Sequence, residues 1–72
     1  MDPRIFKRTV TVPRTDRHHV EAFSRGERVK NIRRIGRGVI FEPVDSRRIA
    51  GTYAMDYSEF MASTVAVLQA RA

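Results

Sequence analysis

The residues best equipped for chemistry in this chain are its arginines and lysines. Between Met1 and Val44 there are eleven basic side chains against five acidic ones, whereas residues 45–72 hold three of each, so the whole formal charge of +6 belongs to the N-terminal part. Most of these cations are arginine, whose planar fork suits phosphate oxygens and guanine edges better than an ammonium does. The concentration points to a surface for polyanions, the alternative being a general arginine enrichment that serves solubility alone. Any one arginine read singly is an exposed, solubilising charge; the ensemble carries the information.

Catalytic constellations are missing. The chain has no cysteine to act as nucleophile or thiolate ligand, no glycine-rich phosphate loop with Lys and Ser/Thr, and no carboxylate pair spaced for acid and base roles. His18 and His19 are adjacent, and neighbouring helical residues point about 100° apart, so they would not share a metal ion as an i, i+4 pair does. Neither enzymatic activity nor a metal or other cofactor is expected.

The elements that must position the basic residues have little material to work with. A chain of 72 residues is one small domain that buries only roughly 60% of its unfolded surface, so association with a second copy is expected. Without cysteines there is no disulfide framework to compensate. A membrane span needs about 20 apolar residues and the chain's longest apolar run is a few, while Met1 to Arg8 carries Pro3 and charges rather than a signal core. A cytoplasmic protein with no membrane contact is the simplest reading.

Arg8 to Val12 alternates, is β-branched and stops at Pro13, which predicts a strand burying Phe6, Val10 and Val12. Thr15 as N-cap, Asp16 in the first turn, Val20 and Phe23 three apart, and a final Gly26 predict a helix of two to three turns. Arg28 to Ile35 and Val39 to Val44 should pair as a hairpin about Gly36 and Gly38, both expected in left-handed conformations, with Pro43 ending the second strand at an edge. Residues 45–55 read as a linker with at most one helical turn near Ile49. Asp56 and Glu59 have capping-box spacing, and Tyr57, Phe60, Met61, Thr64, Val65 and Leu68 follow on one helical face. That amphipathic helix, 56–72, either packs on another copy or partner or completes the domain's own core. Strand alternation would align Arg8 with Arg14, and Lys30 with Arg34, on one surface.

The order of these pieces resembles a known family. Thr9-Val-Thr-Val-Pro13-Arg14, a short helix, Gly26-Glu27-Arg28-Val29, and Ile32 to Val44 ending Val-Ile-Phe-Glu-Pro-Val are together similar to the swapped-hairpin DNA-binding domain of the AbrB, MazE and VapB families, over about Ile5 to Val44. Asp56-Tyr-Ser-Glu-Phe60-Met61-Ala resembles the segment after that domain in VapB and VagC antitoxins. The resemblance implies an α+β, mainly β fold: a swapped-hairpin β-barrel dimer with a short helix and a C-terminal helical extension. Its units would be a DNA-binding domain at 1–44, a linker at 45–55 and a partner-binding helix at 56–72. It further implies a transcriptional regulator, the antitoxin of a type II toxin–antitoxin pair, that binds double-stranded DNA, autoregulates its operon and neutralises a nuclease toxin through its C-terminal segment.

On that reading Lys7, Arg8 and Arg14 lead the DNA contacts, Arg4 acts as a flexible-arm phosphate contact, and Lys30 and Arg34 extend the surface. Tyr57, Phe60, Met61, Val65 and Leu68 would meet the toxin, with Arg71 as an inserted cation. Two alternatives stand beside it. Arg34 to Asp45 is also similar to the wing of excisionase-like winged helix-turn-helix proteins, a fold needing two helices before the wing. A protein-interaction inhibitor or adaptor working through the final helix would not bind DNA at all.

Overall fold

The computed structural model of the protein describes residues 3–16 and 19–67. Seven short strands and one helix follow in the order β1 (Arg4–Phe6), β2 (Val10–Pro13), β3 (Val20–Phe23), β4 (Arg28–Ile35), β5 (Gly38–Pro43), β6 (Tyr53–Asp56), α1 (Tyr57–Ser63) and β7 (Thr64–Ala66). All pairings are antiparallel; β6-β5-β4-β1-β7 form one sheet, and β2 and β3 a separate ribbon. This is a mainly β, α+β domain.

The edge strands β6 and β7 are joined only by α1, seven residues or about 10 Å of helix. In a flat sheet they would stand about 19 Å apart, four strand spacings. The sheet therefore curls, and β2 reaches β6 through the Arg14↔Tyr53 bridge. Its edges do not pair with each other, so the expected β-barrel does not close among the described residues.

The core lies inside this curl. Phe6, Phe23, Phe41, Tyr53 and Phe60 come from β1, β3, β5, β6 and α1 and are each at most 1% exposed, with Val12, Val29 and Val39 between them. Their ring centroids are 4.9–6.2 Å apart, many tilted or edge to face, the arrangement that aligns ring edges with ring faces. One chain supplies every member of this cluster. Tyr53 from the expected linker and Phe60 from the expected partner helix share it with Phe6.

The hairpin β4–β5 and the strand β2 fall where the alternation predicts, with Phe6 and Val12 buried and Val10 half-buried. Gly36 takes the left-handed conformation (φ 60°); Gly38 does not need it. Pro43 lies opposite Val29, past the last β5–β6 pair at Phe41↔Tyr53.

Three expectations are corrected. The helix expected between Thr15 and Gly26 does not form among the described residues: Val20–Phe23 is β3, in register with β2 through Val10↔Phe23 and Pro13↔Val20. Val20 and Phe23, spaced as helical neighbours, have opposite fates at 58% and 0% exposure. With no helix seen before β4 among the described residues, the hairpin is also not the wing of a winged helix-turn-helix. In 45–55, a turn closed by the Arg48 amide on the Asp45 carbonyl (3.1 Å) leads into β6.

The third correction concerns the C-terminal helix. It starts as expected, with the Glu59 amide donating to Asp56 Oδ2 at 3.3 Å, but ends at Ser63. Thr64 is extended (φ −132°, ψ 161°), and β7 pairs with β1 through Phe6↔Thr64, Ile5↔Val65 and Arg4↔Ala66. The open edge of β1 offers the β-branched Thr64 and Val65 a ladder that suits them better than another helical turn. Among the described residues no helix is long and apolar enough to cross a membrane.

Candidate nucleic-acid interface

The fold sorts the cations by whether they have a partner inside the molecule. Arg14 directly follows β2, in the isolated bridge to Tyr53, and is 6% exposed. Its guanidinium donates to Asp16 (3.1 and 3.2 Å), to the carbonyls of Ala50 (3.0 Å) and Ile49 (3.5 Å) and to the Tyr53 hydroxyl (3.4 Å). Hydrogen bonding to Asp16 raises its pKa further. Gly51, at φ 146°, leaves the space this guanidinium fills, since a Cβ there would collide with it. Arg14 is thus a clasp holding the 49–51 loop to β2, and its fork is not available to DNA.

Arg48 makes the neighbouring clasp. It donates to Glu27 (2.6 Å), Glu21 (3.0 Å) and the Ala22 carbonyl, and lies 4.1 Å from the centroid of the Phe23 ring. The hydrogen bond from Arg48 holds the Glu27 carboxyl below the usual carboxylate range.

Arg4 and Arg8 turn toward the C-terminal elements. Arg4 donates to Thr64 Oγ1 (2.7 Å) and the Thr64 carbonyl (2.9 Å), while Arg8 reaches Ser63 Oγ (3.1 Å) and Glu59 (3.2 Å). The Lys7 side chain is exposed, and its amide donates to the Ser63 carbonyl. Arg47 is held by Asp45.

Of the other described cations, Arg28, Lys30, Arg33 and Arg34 lie on β4, Arg25 in the turn before it and Arg37 in the turn after it; β5 carries none. Arg25, Arg28, Lys30, Arg33 and Arg37 are exposed, and none is in an ion pair with a described residue. Across residues 25–40 six basic side chains meet a single acidic one, Glu27, which Arg48 occupies. The strand β4 spans about 23 Å at about 3.3 Å per residue. From Arg33 to Arg37 every residue is exposed.

A bulge sets which way these side chains face. Lys30 lies opposite Glu42 and Arg33 opposite Ile40, three steps along β4 against two along β5. Asn31, at φ 52°, takes up the extra residue, a conformation that Asn tolerates better than most. The parity shift puts Arg33 on the face of Lys30 and sends Arg34, opposite Val39, to the other. The expected alignment of Lys30 with Arg34 is thereby undone, and the ribbon carries charge on both faces. Arg34 lies 3.9 Å from the centroid of the Tyr57 ring and donates to the Gly36 carbonyl (3.0 Å). The Tyr57 amide donates to the Arg37 carbonyl at 2.7 Å, which fastens the turn to α1.

The residues expected to meet a partner are dispersed. Phe60 is enclosed in the core; Tyr57 and Met61 are half-buried against it; Val65 is half-buried on β7; Leu68 and Arg71 lie outside the described residues. His18 lies outside them too, and His19 is exposed with its Nε2 3.4 Å from Glu21. No group of three metal-ligating side chains occurs among the described residues. Arg33, Arg37 and Ile35 escaped the sequence reading as site residues; the Gly36-Arg37-Gly38 turn, which sets Arg37 at a hairpin tip, was the available signal.

No protein-family model matches this chain, and neither the curated proteins nor the solved structures contain a match to it.

Proposed function

We propose that the protein binds double-stranded DNA through the β4–β5 hairpin and acts as a DNA-binding regulator. The observation that supports this most is the sorting of cations: Arg4, Arg8, Arg14, Arg47 and Arg48 are engaged within the fold, while Arg28, Lys30, Arg33 and Arg37, exposed and in no ion pair with a described residue, lie on β4 and the turn that follows it, with Lys7 apart from them. A two-stranded ribbon is an element that a DNA groove admits, and arginine contacts both phosphates and base edges. The enclosure of Phe60 favours plain DNA binding over the antitoxin form of this reading, which needs that ring on the surface.

Titration of a labelled 30-base-pair duplex at several salt concentrations tests it. If Lys30, Arg33, Arg34 and Arg37 each neutralise one phosphate, the logarithmic salt slope is about −3.6, a loss of about 150-fold between 50 and 200 mM. The double substitution Arg33→Ala, Arg37→Ala should halve that slope. Absence of binding at 50 mM salt overturns the proposal.

A further inference from the structure

The tip of the hairpin carries an apolar side chain where charge alone would suffice. Ile35 is 61% exposed and lies directly opposite Gly38 across the turn. A single exposed isoleucine is ordinary. This one is bracketed by Arg33 and Arg34 on one side and Arg37 on the other, at the narrowest point of the ribbon. Val20, Val44 and Ile49, the other exposed large aliphatic residues among those described, lie on β3 or past β5.

Shape and stiffness agree with insertion. Gly36 and Gly38 flank Arg37 without side chains, and nothing lies within 4 Å of where a Cβ on Gly36 would be. The tip therefore presents only Ile35 and Arg37 as side chains; its two backbones, about 5 Å apart between axes, are wider than the roughly 6 Å minor groove once their atoms are counted, so entry requires the groove to widen as the duplex deforms. It is held in place by the Tyr57 amide on the Arg37 carbonyl and by Arg34 against the Tyr57 ring. Cations on both faces of the ribbon would meet the phosphates of the two strands bordering a groove.

We infer that the Ile35–Gly38 turn enters the minor groove of double-stranded DNA, where Ile35 wedges between two base pairs and kinks the duplex. This rests on the proposed DNA binding. Arg37 lies in the groove beside the wedge, where the negative potential is greatest, and easily unstacked pyrimidine–purine steps are the favoured sites. The kink falls within the range of about 20–90° that apolar wedges produce.

The experiment uses the full chain and the same 30-base-pair duplex, carrying a central TA step with 2-aminopurine in place of its adenine and a donor–acceptor pair at the ends. Saturating protein should raise 2-aminopurine fluorescence severalfold and bring the ends closer. Ile35→Ala should abolish both signals while keeping the salt slope and the thermal midpoint, and Ile35→Phe should keep all of them. If the wild-type protein binds with the expected salt slope but leaves the duplex straight and the 2-aminopurine quenched, the wedge is refuted and the DNA-binding proposal stands. If Ile35→Ala bends DNA as the wild type does, the wedge is likewise refuted. No duplex binding at 50 mM salt, or tighter binding to single-stranded RNA, overturns the DNA-binding proposal itself.

Discussion

Replacing Phe60 separates a core role for the helix from a docking role. The ring is 0% exposed, packs edge to face on Phe6 with centroids 6.1 Å apart at 84°, and lies 5.2 Å from Phe41 at 32°. Truncating a buried phenylalanine to alanine costs about 3–5 kcal/mol. At about 0.05–0.15 kcal/mol per residue, a chain of this length has about 4–11 kcal/mol of stability to lose, so Phe60→Ala removes between about a quarter and all of it. Phe60→Leu is the quantitative variant. It stays buried but forfeits two ring–ring contacts of about 0.5–1.5 kcal/mol each, or about 1–3 kcal/mol together. With a urea dependence near 1 kcal/mol per molar, the lower end for small domains, the midpoint should fall by about 1–3 M. Far-ultraviolet circular dichroism against urea measures it directly. A Phe60→Ala protein with an unchanged midpoint that had lost a binding partner would refute the placement of this ring and restore it to an interface.

Arg14→Met should lower the thermal midpoint, leaving the Tyr53 hydroxyl and the 49–51 loop without their clasp, and should leave the salt slope of DNA binding unchanged; a change in slope with no loss of stability would make Arg14 a DNA contact. Gly51→Ala should act in the same direction on stability, because its Cβ meets the Arg14 guanidinium and φ 146° disfavours a side chain, and calorimetry reads both variants. Asn31→Gly should be tolerated, whereas Asn31→Val should cost about 1–2 kcal/mol in urea unfolding, since a β-branched residue is strained at φ 52°. The Glu27 carboxyl, lowered by its hydrogen bond from Arg48, contributes stability that is complete above the usual carboxylate range and is lost as pH falls through its folded-state value. Thermal midpoints from pH 7 to pH 3 should therefore fall less steeply for Glu27→Gln than for the wild type, and equal slopes would remove that ion pair from the acid response.

The amino-acid sequence alone determined the features that depend on neighbours along the chain. Alternation and Pro13 delimit β2, the glycines about Arg37 turn the β4–β5 hairpin, and Asp56 caps the helix that follows it, each through contacts a few residues long. Net charge and its N-terminal bias are likewise matters of composition. The fates of Val20–Phe23 and Thr64–Ala66 were not legible, because such short segments fit either periodicity and the choice falls to what they pair with: β2 in one case, the open edge of β1 in the other. The roles of individual arginines were hidden for the same reason. Arg14 and Arg33 are chemically identical, one just past a strand and one on a strand, yet only the tertiary structure brings Asp16, Tyr53 and two carbonyls around the first, and only the bulge at Asn31 turns the second outward beside Lys30. Charge is a property of the residue; whether it remains free for a partner depends on strand register and long-range contacts.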